Sequence, residues 1–161
     1  MRIAEINIDG FGVWNGLKLE DLSDKLTVVY GPNEAGKTTL MQFVRAVLFG
    51  FNVERRERYL PPVHGGLWGG TLTLAEKNTH YQVGRFLTEK SSGKFFEELT
   101  ICDESGRDQK HQALDRLLSG VDERTLNNIF AVGLREIQEL ATLNDTEAAE
   151  HLYAITSGLD R

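Results

Sequence analysis

Leu26-Thr27-Val28-Val29-Tyr30 runs directly into Gly31-Pro32-Asn33-Glu34-Ala35-Gly36-Lys37-Thr38-Thr39, after which Leu40, Phe43, Val44, Val47 and Leu48 recur at helical spacing. Residues 26–30 form a nearly continuous β-rich apolar run, the pattern of a strand buried on both faces. The recurrence after Thr39 predicts a helix with one apolar face, and Gly50 stands where it could stop. Between them, two glycines spaced by four residues and followed by Lys and a hydroxyl residue form the phosphate-loop pattern. Glycine is needed there because the backbone curls through conformations that a Cβ obstructs, so that successive N–H groups converge on phosphate oxygens at a helix N-terminus. Lys37 is placed to reach the β- and γ-phosphates, the Thr38 hydroxyl to ligate Mg²⁺, and Thr39 to approach the α-phosphate. The expected ligand is a nucleoside triphosphate, MgATP in the first place, held by Gly31 through Thr39.

Upstream, Arg2-Ile3-Ala4-Glu5-Ile6-Asn7-Ile8 alternates apolar and polar and ends at Asp9-Gly10, so a half-buried strand opens the chain, and a segment around Leu17 and Leu19 can pair with it. Downstream, residues 52–70 hold Pro61-Pro62 and two Gly pairs, which predicts a long exposed loop. Three strand-like runs follow, at Thr71 to Leu74, Tyr81 to Phe86 and Leu99 to Cys102, and suggest an antiparallel meander across residues 71–102. From about residue 110 to 161 the pattern is helical: Leu114, Leu117 and Leu118, then Leu126, Ile129 and Phe130 after an N-cap candidate at Asp122, then Thr146 to Ile155.

A chain of 161 residues suits a single lobe with one core, and 40% hydrophobic with 26% charged residues is ordinary for a globular protein. Cys102 is the sole cysteine, so no disulfide forms within the chain; its thiol is expected to be buried and inert, and the expected compartment is the cytoplasm. No apolar run reaches the roughly 18 residues of a membrane span. The net charge of −6 argues against a general nucleic-acid coat. The densest basic stretch, Arg55, Arg56 and Arg58, is interrupted by Glu54 and Glu57; it is either a phosphate-contacting patch or, as the mixed charge favours, a solvated loop.

Two further motifs are weaker. Leu99-Thr100-Ile101-Cys102-Asp103-Glu104 has the form of the catalytic-carboxylate strand of ATPases, but its alternation and the turn signal Ser105-Gly106 point to a half-exposed strand ending in a turn. Asp103 to Gly106 also fits the Asp-x-x-Gly element of GTPase switches, without the guanine-reading Asn-Lys-x-Asp motif. Leu118-Ser119-Gly120 is similar to an ABC signature, yet it follows the Asp-Glu pair instead of preceding it, and a helix ending at glycine is the simpler reading.

Gly10-Phe11-Gly12, the loop 31–39 and Phe43-Val44-Arg45-Ala46-Val47-Leu48-Phe49-Gly50 together resemble the N-terminal ATPase segment of the SMC/RecF/SbcC superfamily, most of all its YhaN-type AAA ATPases. The resemblance continues through Arg58 to Pro61, Gly69 to Leu72 and Ile129 to Leu134. It implies an α/β fold, the P-loop NTPase lobe of an ABC-type head, with a mixed sheet, an antiparallel β-meander and C-terminal helices. It implies ATP and Mg²⁺ as cofactors, and hydrolysis only with the chain's own C-terminal ATPase segment, reached through a coiled coil, which brings signature loop, carboxylate and switch histidine. Two such heads would close head to head as a homodimer acting on DNA, with an SbcD-type nuclease as a possible partner, in DNA repair or maintenance. The alternatives are a nucleotide-gated protein-interaction module and a GTPase-like switch. In that superfamily a glutamine often senses Mg²⁺ and the γ-phosphate; here Gln138 is the favoured match, with a catalytic and metal-binding role, and Glu136 is the other candidate. Just after the first Phe, where a basic or hydroxyl residue is common, this chain has Gly12-Val13-Trp14.

Overall fold

The computed structural model describes residues 1–77 and 79–127. The chain divides into two compact units, Met1–Gly120 and Val121–Arg161.

In the first unit the opening alternation becomes β1 (Arg2–Phe11), with Ala4, Ile6 and Ile8 turned into the core. β2 (Trp14–Leu19) folds back on it antiparallel, pairing Ile8 with Leu17 and Ile6 with Leu19. The predicted meander is present and longer than its apolar cores suggested: β3 (Gly69–Glu76), β4 (Thr79–Glu89) and β5 (Phe95–Asp103). Among the described residues these strands make a five-stranded antiparallel sheet of order β2-β1-β3-β4-β5.

Helix α1 (Lys37–Phe49) begins at the glycine loop and stops at Gly50, where the backbone N–H donates to the Ala46 carbonyl at 2.8 Å. Its Leu40, Phe43, Ala46, Val47 and Leu48 are buried in one core with Ile8, Leu72, Leu74, Val83 and Ile101 of the sheet. Phe11 is fully buried at the centre, edge-on to Phe43 at 5.6 Å and stacked on Tyr59 at 4.9 Å. Aromatic pairs at such spacings add about 1 kcal/mol each beyond their burial.

Three expectations are corrected. The apolar run Leu26–Tyr30 is not a buried strand: it has no ladder partner among the described residues, and Leu26, Val28, Val29 and Tyr30 are 76%, 71%, 51% and 92% exposed. Composition identifies residues that favour a sheet, but a strand forms only where a neighbour supplies hydrogen bonds. Residues 52–70 are not one exposed loop, because α2 (Val53–Tyr59) occupies the first part, with the Asn52 side chain accepting from the Arg55 N–H at 2.8 Å as N-cap. Arg55, Tyr59 and Pro62 are buried. Cys102 is half-buried, not enclosed; its thiol donates to the Asp108 carboxylate at 3.3 Å, and that bond raises its pKa, which disfavours the reactive thiolate.

The predicted helical part begins with α3 (Gln112–Leu117), which buries Ala113, Leu114 and Leu117. It ends through Ser119 and Gly120, both at positive φ, so Leu118-Ser119-Gly120 is a helix terminus. In the second unit, the Asp122 side chain accepts from the Thr125 N–H at 2.7 Å and caps α4 (Glu123–Thr125), as read from the sequence. Glu136, Gln138 and the helix expected over Thr146 to Ile155 lie outside the described residues.

Candidate nucleotide-binding site

The glycine loop leads into the N-terminus of α1, which buries Leu40, Phe43, Ala46, Val47 and Leu48. A helix leaves its first N–H groups without intrahelical acceptors and carries partial positive charge at that end. Here those groups belong to Lys37, Thr38 and Thr39, while the Leu40 N–H closes the first helical bond onto the Gly36 carbonyl at 2.9 Å. Gly36, buried and at φ 88°, is the N-cap, and Glu34 also adopts positive φ, at 68°. The Ala35 N–H turns back to the Pro32 carbonyl at 3.3 Å. Pro32, Asn33, Glu34, Lys37 and Thr38 are exposed, so the loop's outer rim faces solvent.

Lys37 folds over the loop, its ammonium 2.8 Å from the Gly31 carbonyl oxygen and 2.7 Å from that of Pro32. Its charge is thereby held against the loop that leads into the helix N-terminus. The Thr38 hydroxyl is exposed and open to a cation, while the Thr39 methyl packs toward Gly12. The donor set, helix N-terminal amides with one ammonium and one hydroxyl, fits a polyphosphate with its hard cation.

The hairpin turn between β1 and β2 braces the loop, a feature that sequence reading met only as a departure at Gly12-Val13-Trp14. The Trp14 indole N–H donates to the Gly36 carbonyl at 3.2 Å. A Cβ on Gly36 would lie 2.8 Å from Trp14 Cζ2 and 2.8 Å from Val13 Cγ2, so glycine is required there by contact as well as by φ.

The opposite end of α1 is held by arginines. Arg85 of β4, 9% exposed, donates from Nε to the Val47 carbonyl at 2.7 Å and pairs with Glu97 of β5. Arg55 of α2, 4% exposed, donates to the Gly50 carbonyl at 3.0 Å, and Arg56 to that of Phe51 at 3.2 Å. Neither reading of the basic stretch survives for Arg55, which is neither solvated nor free to meet phosphate. Cations at the C-terminus complement the helix dipole and leave its N-terminus as the anion end.

Asp103 and Glu104 are engaged in their own turn. Asp103 accepts from the backbone N–H groups of Ser105 and Arg107 at 2.9 and 3.1 Å and from the Gln109 amide at 3.0 Å. The Arg107 N–H is the main cause that holds its carboxyl below the usual range; burial, the next in size, opposes it, and the Ser105 N–H adds to the lowering. Glu104 accepts from the backbone N–H of His80 at 2.6 Å and lies 2.8 Å from its Nδ1, and the His80 side chain is the main cause of its lowered pKa. This is a turn's chemistry, as the pattern Glu104-Ser105-Gly106-Arg107 predicts.

The AAA domain family matches residues 1–160 of the chain. The chain belongs to that family. This AAA domain is 30% identical over 152 residues to "Uncharacterized protein YhaN" of Bacillus subtilis (strain 168), a match covering 94% of the chain and 15% of the relative's length. The chain therefore spans a small part of the curated relative it matches. Its fold is similar to that of a solved SMC ATPase, described under "Structural biochemistry of ATP-driven dimerization and DNA stimulated activation of SMC ATPases", at 13% identity and a TM-score of 0.55, covering 94% of this chain and 99% of that one. The family and the relative bear out the resemblance to YhaN-type AAA domains, and the fold is the P-loop head fold of the solved SMC ATPase. Among the described residues no helix is long and apolar enough to cross a membrane.

Proposed function

We propose that this AAA domain is the ATP-binding N-terminal lobe of an SMC/SbcC-like ATPase acting in DNA repair or maintenance. The observation that carries the reading is the loop Gly31–Thr39, wound at the start of α1 with Lys37 bent over its carbonyls. In this reading Gly31 to Thr39 hold the phosphates, Lys37 neutralises charge on them, and Thr38 ligates Mg²⁺, with Gln138 as a second metal and γ-phosphate contact. Bound MgATP supplies an activated phosphoanhydride; water attack on it also needs a positioned carboxylate. Asp103 and Glu104 are occupied elsewhere, so that carboxylate comes from a complementary C-terminal segment, and the isolated lobe turns over negligibly. The exposed run Leu26–Tyr30 supports this, since a β-rich segment with no ladder partner among the described residues is suited to pair with a strand from such a segment. The solved relative's ATP-driven dimerization and DNA stimulation favour head-to-head closure of two copies on DNA.

The deciding experiment is calorimetric titration of the chain with ATP, GTP and ADP, with and without Mg²⁺, and with Lys37→Ala as control. Mg²⁺-dependent ATP binding that the variant loses is the expected result. Guanine preference would favour a GTPase-like switch, and no binding by the unmodified chain would remove the reading. A second reading, a nucleotide-gated protein-interaction module, is favoured by a groove of about 230 Å³ between α2 and the β4–β5 hairpin, lined by Val53, Leu60, Pro61, Trp68 and Phe95. Salt-sensitive DNA binding separates the two.

A further inference from the structure

Trp14 donates its indole N–H to a carbonyl that already has a partner. The Gly36 oxygen accepts the Leu40 N–H at 2.9 Å as the first bond of α1 and the Trp14 Nε1–H at 3.2 Å, filling both lone pairs. The Gly36 carbonyl and the Lys37 N–H belong to one planar trans peptide and point in opposite directions. Whatever fixes the carbonyl therefore fixes the amide. The Lys37 N–H, directed out of the helix N-terminus, is one of the donors that a phosphate would use.

The turn that carries Trp14 is itself clamped. The Gly12 N–H donates to the Tyr59 carbonyl at 2.8 Å, and the Gly12 carbonyl accepts from the Val63 N–H at 2.8 Å. A Cβ on Gly12 would come 2.6 Å from the Thr39 methyl, so the same turn also rests on the first turn of α1. Trp14 is half-buried against a backbone that its neighbours hold in place.

We propose that Trp14 is a positioning residue of the nucleotide site, its indole N–H orienting the Gly36–Lys37 peptide so that the Lys37 amide is preset for a phosphate oxygen. This rests on the nucleotide reading above and adds a role to a residue outside the phosphate-loop motif. It acts on the phosphates, not on the base.

Binding of MgATP and of inorganic pyrophosphate to the chain and to Trp14→Phe, which keeps a ring and loses the donor, tests the assignment. Both ligands weaken by a similar factor, roughly fivefold, as for loss of one neutral hydrogen bond. Unchanged affinity for both overturns the proposal, and so does weakening of MgATP alone, which would make Trp14 a base-stacking residue. Should Trp14→Phe melt far below the parent, the unmodified ¹⁵N-labelled chain decides: the Trp14 indole resonance shifts on pyrophosphate addition while that of Trp68 stays, and an unmoved Trp14 resonance overturns the proposal. Failure of the unmodified chain to bind either ligand overturns the nucleotide reading and this proposal with it, whereas binding that ignores Trp14→Phe overturns this proposal alone.

Discussion

Arg85 of β4 ends on the Val47 carbonyl, 2.7 Å away, so the central sheet grips the last turn of the helix whose first turn forms the phosphate loop. The guanidinium also reaches the Leu48 carbonyl at 3.4 Å and the Glu97 carboxylate, which in turn accepts from the Phe51 N–H at 2.9 Å. Removing it strands buried carbonyls and a carboxylate together. Arg85→Met is expected to lower unfolding free energy by about 2–4 kcal/mol, discounted from a fully buried pair because Glu97 is partly solvated. Urea unfolding measures it, and a loss below about 1 kcal/mol would mean that water replaces the guanidinium.

Arg55 lies in the stretch a charge-based reading would offer to DNA, yet it donates to the Gly50 carbonyl. Arg55→Ala should cost about 1.5–3 kcal/mol of stability, as for a charge-assisted hydrogen bond. The slope of DNA affinity against salt, if DNA binds, should stay as in the parent. A shallower slope at unchanged stability would return Arg55 to the solvent.

What was legible in the sequence was local. The phosphate loop needs glycines, Lys37 and Thr38 in one short stretch, and the alternation in β1 and the period of α1 each declare a buried face within a few residues. What was hidden depends on remote partners. Residues 53–59 are dominated by Glu and Arg and show no apolar stripe, and the carbonyls that make Arg55 and Arg56 structural come from Gly50 and Phe51, just past the end of the preceding helix. Trp14 carries no motif at all; its meaning lies in one carbonyl 22 residues away. The run Leu26–Tyr30 was misread for the opposite reason, because its composition speaks for a sheet that the described residues do not supply.

Lys37→Ala removes an exposed ammonium whose partners, the Gly31 and Pro32 carbonyls, lie on an open loop. Water can replace it, so stability should change by less than about 1 kcal/mol. MgATP binding should be lost, since the charge facing the phosphates is gone. Calorimetry paired with a melting curve checks both halves; unchanged affinity would remove Lys37 from the site.

Asp103 predicts an acid-sensitive turn. Its carboxyl pKa is lowered by the Arg107 N–H first, then by Ser105, the Arg107 charge and Gln109. A carboxylate with a folded pKa below its unfolded one contributes stability above the unfolded value and loses it as pH falls through the folded one. The window therefore opens below about pH 4. Melting temperature should fall more steeply there for the parent than for Asp103→Asn, and Asp103→Asn should be the less stable of the two at neutral pH. Parallel curves would show that the turn's hydrogen bonds do not depend on ionisation.

Val28 offers the sharpest contrast between the chain alone and the proposed whole. It is 71% exposed in a run with no ladder partner among the described residues, so Val28→Glu should change the stability of the isolated chain by no more than about 0.5 kcal/mol. Burial between two sheet faces would make the same substitution cost several kcal/mol, because a carboxylate cannot be left unpaired in an apolar layer. An exposed β-rich run is also a template for pairing, so the variant should self-associate less at high concentration, as measured by light scattering. Co-expression with the proposed C-terminal segment should reverse the silence: the parent should copurify with it and Val28→Glu should not. Strong destabilisation of the isolated chain would instead show that residues 26–30 already pair within it.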